Sequence, residues 1–133
     1  MRTDIAGLRA VIKLEYHPND LKWEVRPIGE VSSFGPTEYI LMASFSLKGN
    51  ELEKLKTQYL ESEDIGSEVA LRKQFIGGWF LNSIKSFSIE KQEQGAYKVK
   101  SMVYEATGFF KSPFIDGICF FKEESIYLLL NTK

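Results

Sequence analysis

Residues 67–84 read "SEVALRKQFIGGWFLNSI", and the fold turns on whether this stretch is one helix. At about 100° per residue, Val69, Ile76, Trp79, Phe80 and Ile84 share one wide face with Phe75 at its edge. Ser67 supplies an N-capping hydroxyl. The spacing therefore predicts a helix from Ser67 to about Ile84, laid on a sheet. The glycine pair opposes it, because two glycines inside a helix cost about 2 kcal/mol against alanine. Burying Trp79 and Phe80 offsets that. Three readings follow for Gly77-Gly78. The helix ends or kinks there; or it passes through and the bare Ala70/Gly77 flank admits another element or a partner; or the pair cradles a ligand. The last is weakest, since phosphate-type cradles precede a helix amino end.

On the N-terminal side, "GNELEKLKTQYLES" predicts an amphipathic helix, with Asn50 as N-cap, Glu53 completing a capping-box-like pair, and Leu52, Leu55 and Tyr59 in one stripe. Three strands are expected before it. Leu8, Ala10, Ile12, Leu14 and Tyr16 alternate with Arg9, Lys13 and Glu15. "HPND" (17–20) reads as the hairpin turn into Leu21, Trp23 and Val25, and Pro27 marks a strand end or a sheet edge. Residues 39–47 are apolar on both faces, which suggests a central strand covered on each side. C-terminal to the helices, "SFSIEKQEQGAYKVKSMVY" predicts a hairpin turning at Gln92–Gly95, "GFFKSPFIDG" a turn-rich connection, and "ICFFKEESIYLLL" a last hairpin around Lys122–Ser125. The expected fold is a single α+β domain over residues 1–133. Its mainly antiparallel sheet has six or seven strands in the order βββ-αα-ββββ, with both helices on one face.

Ten Phe, six Tyr and two Trp support a real core without metal or disulfide staples. The single cysteine, Cys119, forbids an intramolecular disulfide and suits a reducing, cytoplasmic setting. The amino terminus lacks a signal-peptide core, and the longest apolar runs fall far short of the ~20 residues a spanning helix needs. A soluble chain with no membrane partner is expected.

Catalytic chemistry is sought in vain. His17, the only histidine, sits in a turn, and one histidine with one distant cysteine cannot build a four-ligand zinc site. Cys119 lies in the apolar "GICFF" and reads as an inert small hydrophobe. "SIEK" (88–91) matches a Ser-x-x-Lys pattern, but in a strand positions three apart face opposite sides. No catalytic residue, metal site or cofactor is expected. Tyr97, Lys98, Lys100 and Tyr104 form an aromatic-basic strand that could stack on single-stranded nucleic acid. A net charge of −1 makes that partner an unfavoured one.

Charge is unevenly spread. Between Asn50 and Glu68, six acids face only Lys54 and Lys56, a net of −4 against +3 for the rest of the chain. Glu51, Glu61, Glu63, Asp64 and Glu68 are thus the candidate contacts of a non-enzymatic protein-binding domain. Its partner would be another, basic protein, as for an inhibitor or immunity-type protein. The alternative is a carrier or sensor of a small apolar ligand, held between helices and sheet near Phe75 and Trp79.

Overall fold

The computed structural model describes residues 1–28, 38–60, 64–72, 76–85, 87–91 and 95–132. Among them the chain is α+β, with three helices and seven antiparallel strands in one sheet. In order the elements are α1 (Ile5–Val11), β1 (Asn19–Ile28), β2 (Glu38–Ser46), α2 (Gly49–Leu60), β3 (Gly66–Arg72), α3 (Gly78–Ser83), β4 (Ser88–Lys91), β5 (Ala96–Glu105), β6 (Asp116–Lys122) and β7 (Ser125–Asn131). The strand order is β1-β2-β7-β6-β5-β3, with β4 paired to β5.

Two elements depart from the expected βββ-αα-ββββ order. The first expected strand is α1 followed by an extended connection. Asp4 caps the helix, its Oδ2 accepting the Gly7 N–H at 3.0 Å, and Leu8 and Ile12, one helical turn apart, go into the core. Ala10, read as inward, is exposed. The alternation holds only past the helix, where Ile12 and Leu14 are buried and Tyr16 partly so. "HPND" accordingly leads from this connection into β1, with Asp20 at φ +53°, and joins no hairpin.

The second departure is the stretch 67–84. Its first part is β3, paired with β5 so that Val69 faces Val99 and Leu71 faces Tyr97. Val69 and Leu71 are buried while Glu68, Ala70 and Arg72 are exposed, a period of two. The helix does not run through the glycines; it starts at them. Gly77 is the N-cap of α3, with an extended backbone at φ −66°, ψ 145°. By beginning there, the chain avoids setting two glycines in a helix interior. One helical spacing in the sequence is thus shared between a strand and a six-residue helix.

The remaining elements follow their patterns, except that α2 begins at Gly49, which puts Asn50 inside the helix and not at its N-cap. β2 lies between β1 and β7, with Leu41, Ala43 and Phe45 packed on one face and Met42 on the other. Pro27 lies on β1, an edge strand, although Val25, expected inward, is exposed. β4–β5 and β6–β7 are hairpins; residues 92–94 of the first turn lie outside the described residues. The 106–115 connection is a short 3₁₀ turn, Thr107–Phe109, followed by a tight reversal between Lys111 and Phe114.

Both sheet faces are apolar, so each needs a cover. On β7, Ile126, Leu128 and Leu130 join the first core with Leu8, Leu55 and Tyr59 of α1 and α2. Tyr127 and Leu129 join the second, with Phe80 of α3 and the inward residues of β3 and β5. The helices therefore divide between the two faces instead of sharing one. β5 meets β6 through only two residue pairs, Tyr104–Cys119 and Glu105–Ile118. The β3-β5-β4 segment can then turn its apolar side onto the second face, where Val99 and Val103 cluster with Phe120.

Candidate functional site

A groove lies where the α1–β1 connection runs past α2. Its volume is about 560 Å³, and Glu15 and Tyr16 form one wall, with Asn50, Glu51, Lys54, Thr57 and Gln58 opposite. The connection is tied down from several sides. The Lys13 N–H donates to the Phe109 carbonyl at 3.0 Å. Arg9 Nη2 donates to the Tyr16 carbonyl at 2.8 Å. The Glu51 carboxylate accepts the His17 backbone N–H at 3.1–3.2 Å and lies 3.2 Å from its Nδ1. Below the groove a smaller well of about 90 Å³ reaches Tyr59 and Gly108, where the Tyr59 hydroxyl accepts the Gly108 N–H at 3.2 Å.

Two carboxylates thus share one groove. Glu15 is largely free of the surface, with 77 % of its side chain exposed and Lys13 only 3.8 Å away. Glu51 is more enclosed, and its bonds to His17 hold the groove's wall. Burial raises the Tyr16 phenol above its usual value, and the charges of Glu15 and Glu51 push the same way. The phenol remains protonated and able to donate. The groove presents two carboxylates, a phenol, amides, a hydroxyl and the single Lys54 ammonium, so acidic groups outnumber the basic one. Such a lining suits hydrogen-bonded recognition of a cationic group.

Of the five residues singled out from charge, the structure describes Glu51, Asp64 and Glu68. Glu51 lines the groove. Glu61 and Glu63 lie outside the described residues. Asp64 is exposed in the connection after α2. Glu68 stands on β3, not on a helix, and its carboxylate is claimed from within the chain by Lys100 and by Lys98, the latter at 3.3 Å. Hydrogen bonds from Lys100 and Lys98 hold the Glu68 carboxyl below its usual range, so a partner's cation meets competition there. Alternation alone places Glu15 and Tyr16 on a strand, which gives no sign of a groove beside α2. The signal that could have revealed them was Asp4 before Ile5, Leu8 and Ile12, a cap followed by helical spacing.

Other candidates resolve as parts of the scaffold. Tyr97 packs against the second core and Tyr104 belongs to the first, while Lys98 and Lys100 are both engaged by the Glu68 carboxylate. Cys119 is buried; desolvation pushes its thiol up to about 12, against a smaller opposing effect of the Tyr59 hydroxyl. His17 lies in the connection leading into β1, with 82 % of its side chain exposed. Where an apolar-ligand pocket was expected, Phe75 lies outside the described residues. The Trp79 indole N–H donates to Glu24 Oε1 at 2.6 Å. Beneath α3, Phe80, Phe87, Phe120 and Tyr127 fill the second core with mutual ring contacts. Among the described residues no three His, Cys, Asp or Glu side chains group to hold a metal ion, and no helix is long and apolar enough to cross a membrane.

No family model, curated protein or solved structure matches this chain.

Proposed function

We propose that the chain is a non-enzymatic protein-binding domain whose groove between the 13–17 connection and α2 receives a basic side chain of another protein. The observation that carries this reading is the pairing of Glu15 and Glu51 along one groove of about 560 Å³. A lysine or arginine entering it meets carboxylate acceptors on both walls, with the Tyr16, Asn50 and Gln58 side chains available for neighbouring polar groups. Charge-assisted bonds of this kind are stronger than neutral ones and set register as well as affinity. The finer role is that of an inhibitor or immunity-type protein acting in the cytoplasm, where a reducing setting suits the lone thiol of Cys119. In that role the groove covers a basic functional surface of its target.

The test is capture of partners from a native lysate over a salt series. Glu15→Lys serves as the groove variant, and Glu53→Lys, on α2 but outside the groove lining, as the control. The expected result is a salt-sensitive partner whose retention falls about tenfold or more with Glu15→Lys and is unchanged with Glu53→Lys. No salt-sensitive partner, or equal retention by both variants, overturns the reading.

A further inference from the structure

β1 and β3 end the strand order, so each presents the outer edge of a sheet. The two edges are built differently. β1 carries three features that oppose strand addition: a register irregularity between Asn19 and Lys22, a bridge from Arg2 onto Trp23, and Pro27, which lacks an N–H. β3 has no proline, and its inward residues, Val69 and Leu71, are apolar and buried. Where its register with β5 shifts, β3 advances two residues from Gly66 to Glu68 while β5 advances three from Lys100 to Val103. The extra residue belongs to β5, and the outer edge of β3 stays regular. Among the described residues, nothing pairs with that edge.

Besides Ser67, the exposed side chains of β3 are the alternating triplet Glu68, Ala70 and Arg72. This triplet is self-complementary, with Arg72 of a second copy competing against Lys98 and Lys100 for the Glu68 carboxylate. An antiparallel pairing about a two-fold axis at Ala70 sets Glu68 of one copy opposite Arg72 of the other, twice. The same register sets Val69 opposite Leu71 on the underside, so the apolar face runs on unbroken. We propose that β3 is a self-association edge at which a second copy of this chain adds its own β3 antiparallel, centred on Ala70, to join two sheets. The reversed charge order selects a second copy over an arbitrary strand, and it makes the contact isologous. Five paired residues from each copy, 68–72, cover less than the ~800 Å² per partner of a standard interface, so the dimer is weak and concentration-dependent.

Sedimentation velocity on the full chain, from low-micromolar to millimolar concentration, tests this. The expected result is a reversible monomer–dimer equilibrium. Ala70→Lys puts two ammonium groups face to face on the axis, and Arg72→Glu sets a carboxylate opposite Glu68; each weakens the dimer about tenfold or more. Ala70→Cys links two copies by a disulfide under mild oxidation, while the buried Cys119 of the unaltered chain does not. Circular dichroism confirms that the variants fold, and if Ala70→Lys fails to, the Ala70→Cys cross-link still decides. A wild-type chain that stays monomeric at the highest concentration overturns the proposal. So does a dimer indifferent to Ala70→Lys and Arg72→Glu, or one that Ala70→Cys does not cross-link.

Discussion

Gly77→Ala isolates the junction on which α3 depends. The backbone at Gly77, φ −66° and ψ 145°, suits alanine as well as glycine, so conformational strain plays no part. The obstacle is space. A Cβ there would lie 2.8 Å from Trp79 Nε1 and 2.9 Å from both Glu24 Oε1 and Trp79 Cδ1. The Glu24 tip can swing away, but the indole is rigid, and moving either breaks the 2.6 Å bond between them. Hydrogen bonds to charged groups contribute about 1.5–3 kcal/mol net, and this one belongs at the lower end because both partners are only partly buried. Alanine returns about 0.4–1 kcal/mol by stiffening the unfolded chain. The expected net loss is about 1 kcal/mol. Gly78 is the contrast: a Cβ there meets nothing within 4 Å, so Gly78→Ala is expected to be neutral or stabilising by up to ~1 kcal/mol. Urea denaturation followed by tryptophan fluorescence measures both, as midpoint shifts at unchanged m. In a Glu24→Ala background the bond is already absent and one crowding atom gone, so Gly77→Ala should lose less, a coupling of order 1 kcal/mol. The reasoning fails if Gly77→Ala matches wild type, if its loss is equal in both backgrounds, or if Gly78→Ala is as damaging.

Two further outcomes follow from the same structure. Desolvation pushes the Glu24 carboxyl up, but the bonds from Arg26 and Trp79 together outweigh it, and its folded pKa lies below the ordinary 4.5. Its stabilising contribution is therefore complete above that value and is lost as pH falls through the folded one; urea midpoints against pH should show wild type and Glu24→Gln converging on the acid side, and a constant gap refutes the assignment. Gly117 sits at φ +143°, where a Cβ would overlap the Leu129 carbonyl oxygen and lie 2.6 Å from Leu130 Cα, so Gly117→Ala should destabilise by about 3 kcal/mol or more, read as a fall in thermal midpoint of about 10 °C.

Much of this architecture is legible in the sequence because its signals are local. Apolar residues on both faces of 39–47 mark a strand with neighbours on either side, and turn residues between alternating runs mark the β6–β7 hairpin. The spacing of Leu52, Leu55 and Tyr59 marks α2. Of the groove's lining, the charge pattern singles out Glu51 alone. Residues 5–11 and 66–72 are different. Each is short enough to satisfy both a two-residue and a 3.6-residue period, so the pattern alone leaves the choice open.

That choice is made by partners distant in the chain. Segment 66–72 is a strand because β5 sets Val99 against Val69 and Lys100 against Glu68, giving its backbone a ladder and its charge a mate. Val69, Ile76, Phe80 and Ile84 are all buried, Val69 from a strand and Phe80 from a helix. The groove has the same origin: Glu15 and Glu51 meet only after α2 has packed on the core that Leu8 and Ile12 also enter. Local periodicity determined the β2 and β6–β7 strands and the α2 helix. Tertiary pairing, where each backbone group and each apolar face must find a partner, decided what β3 became and which carboxylates share a site.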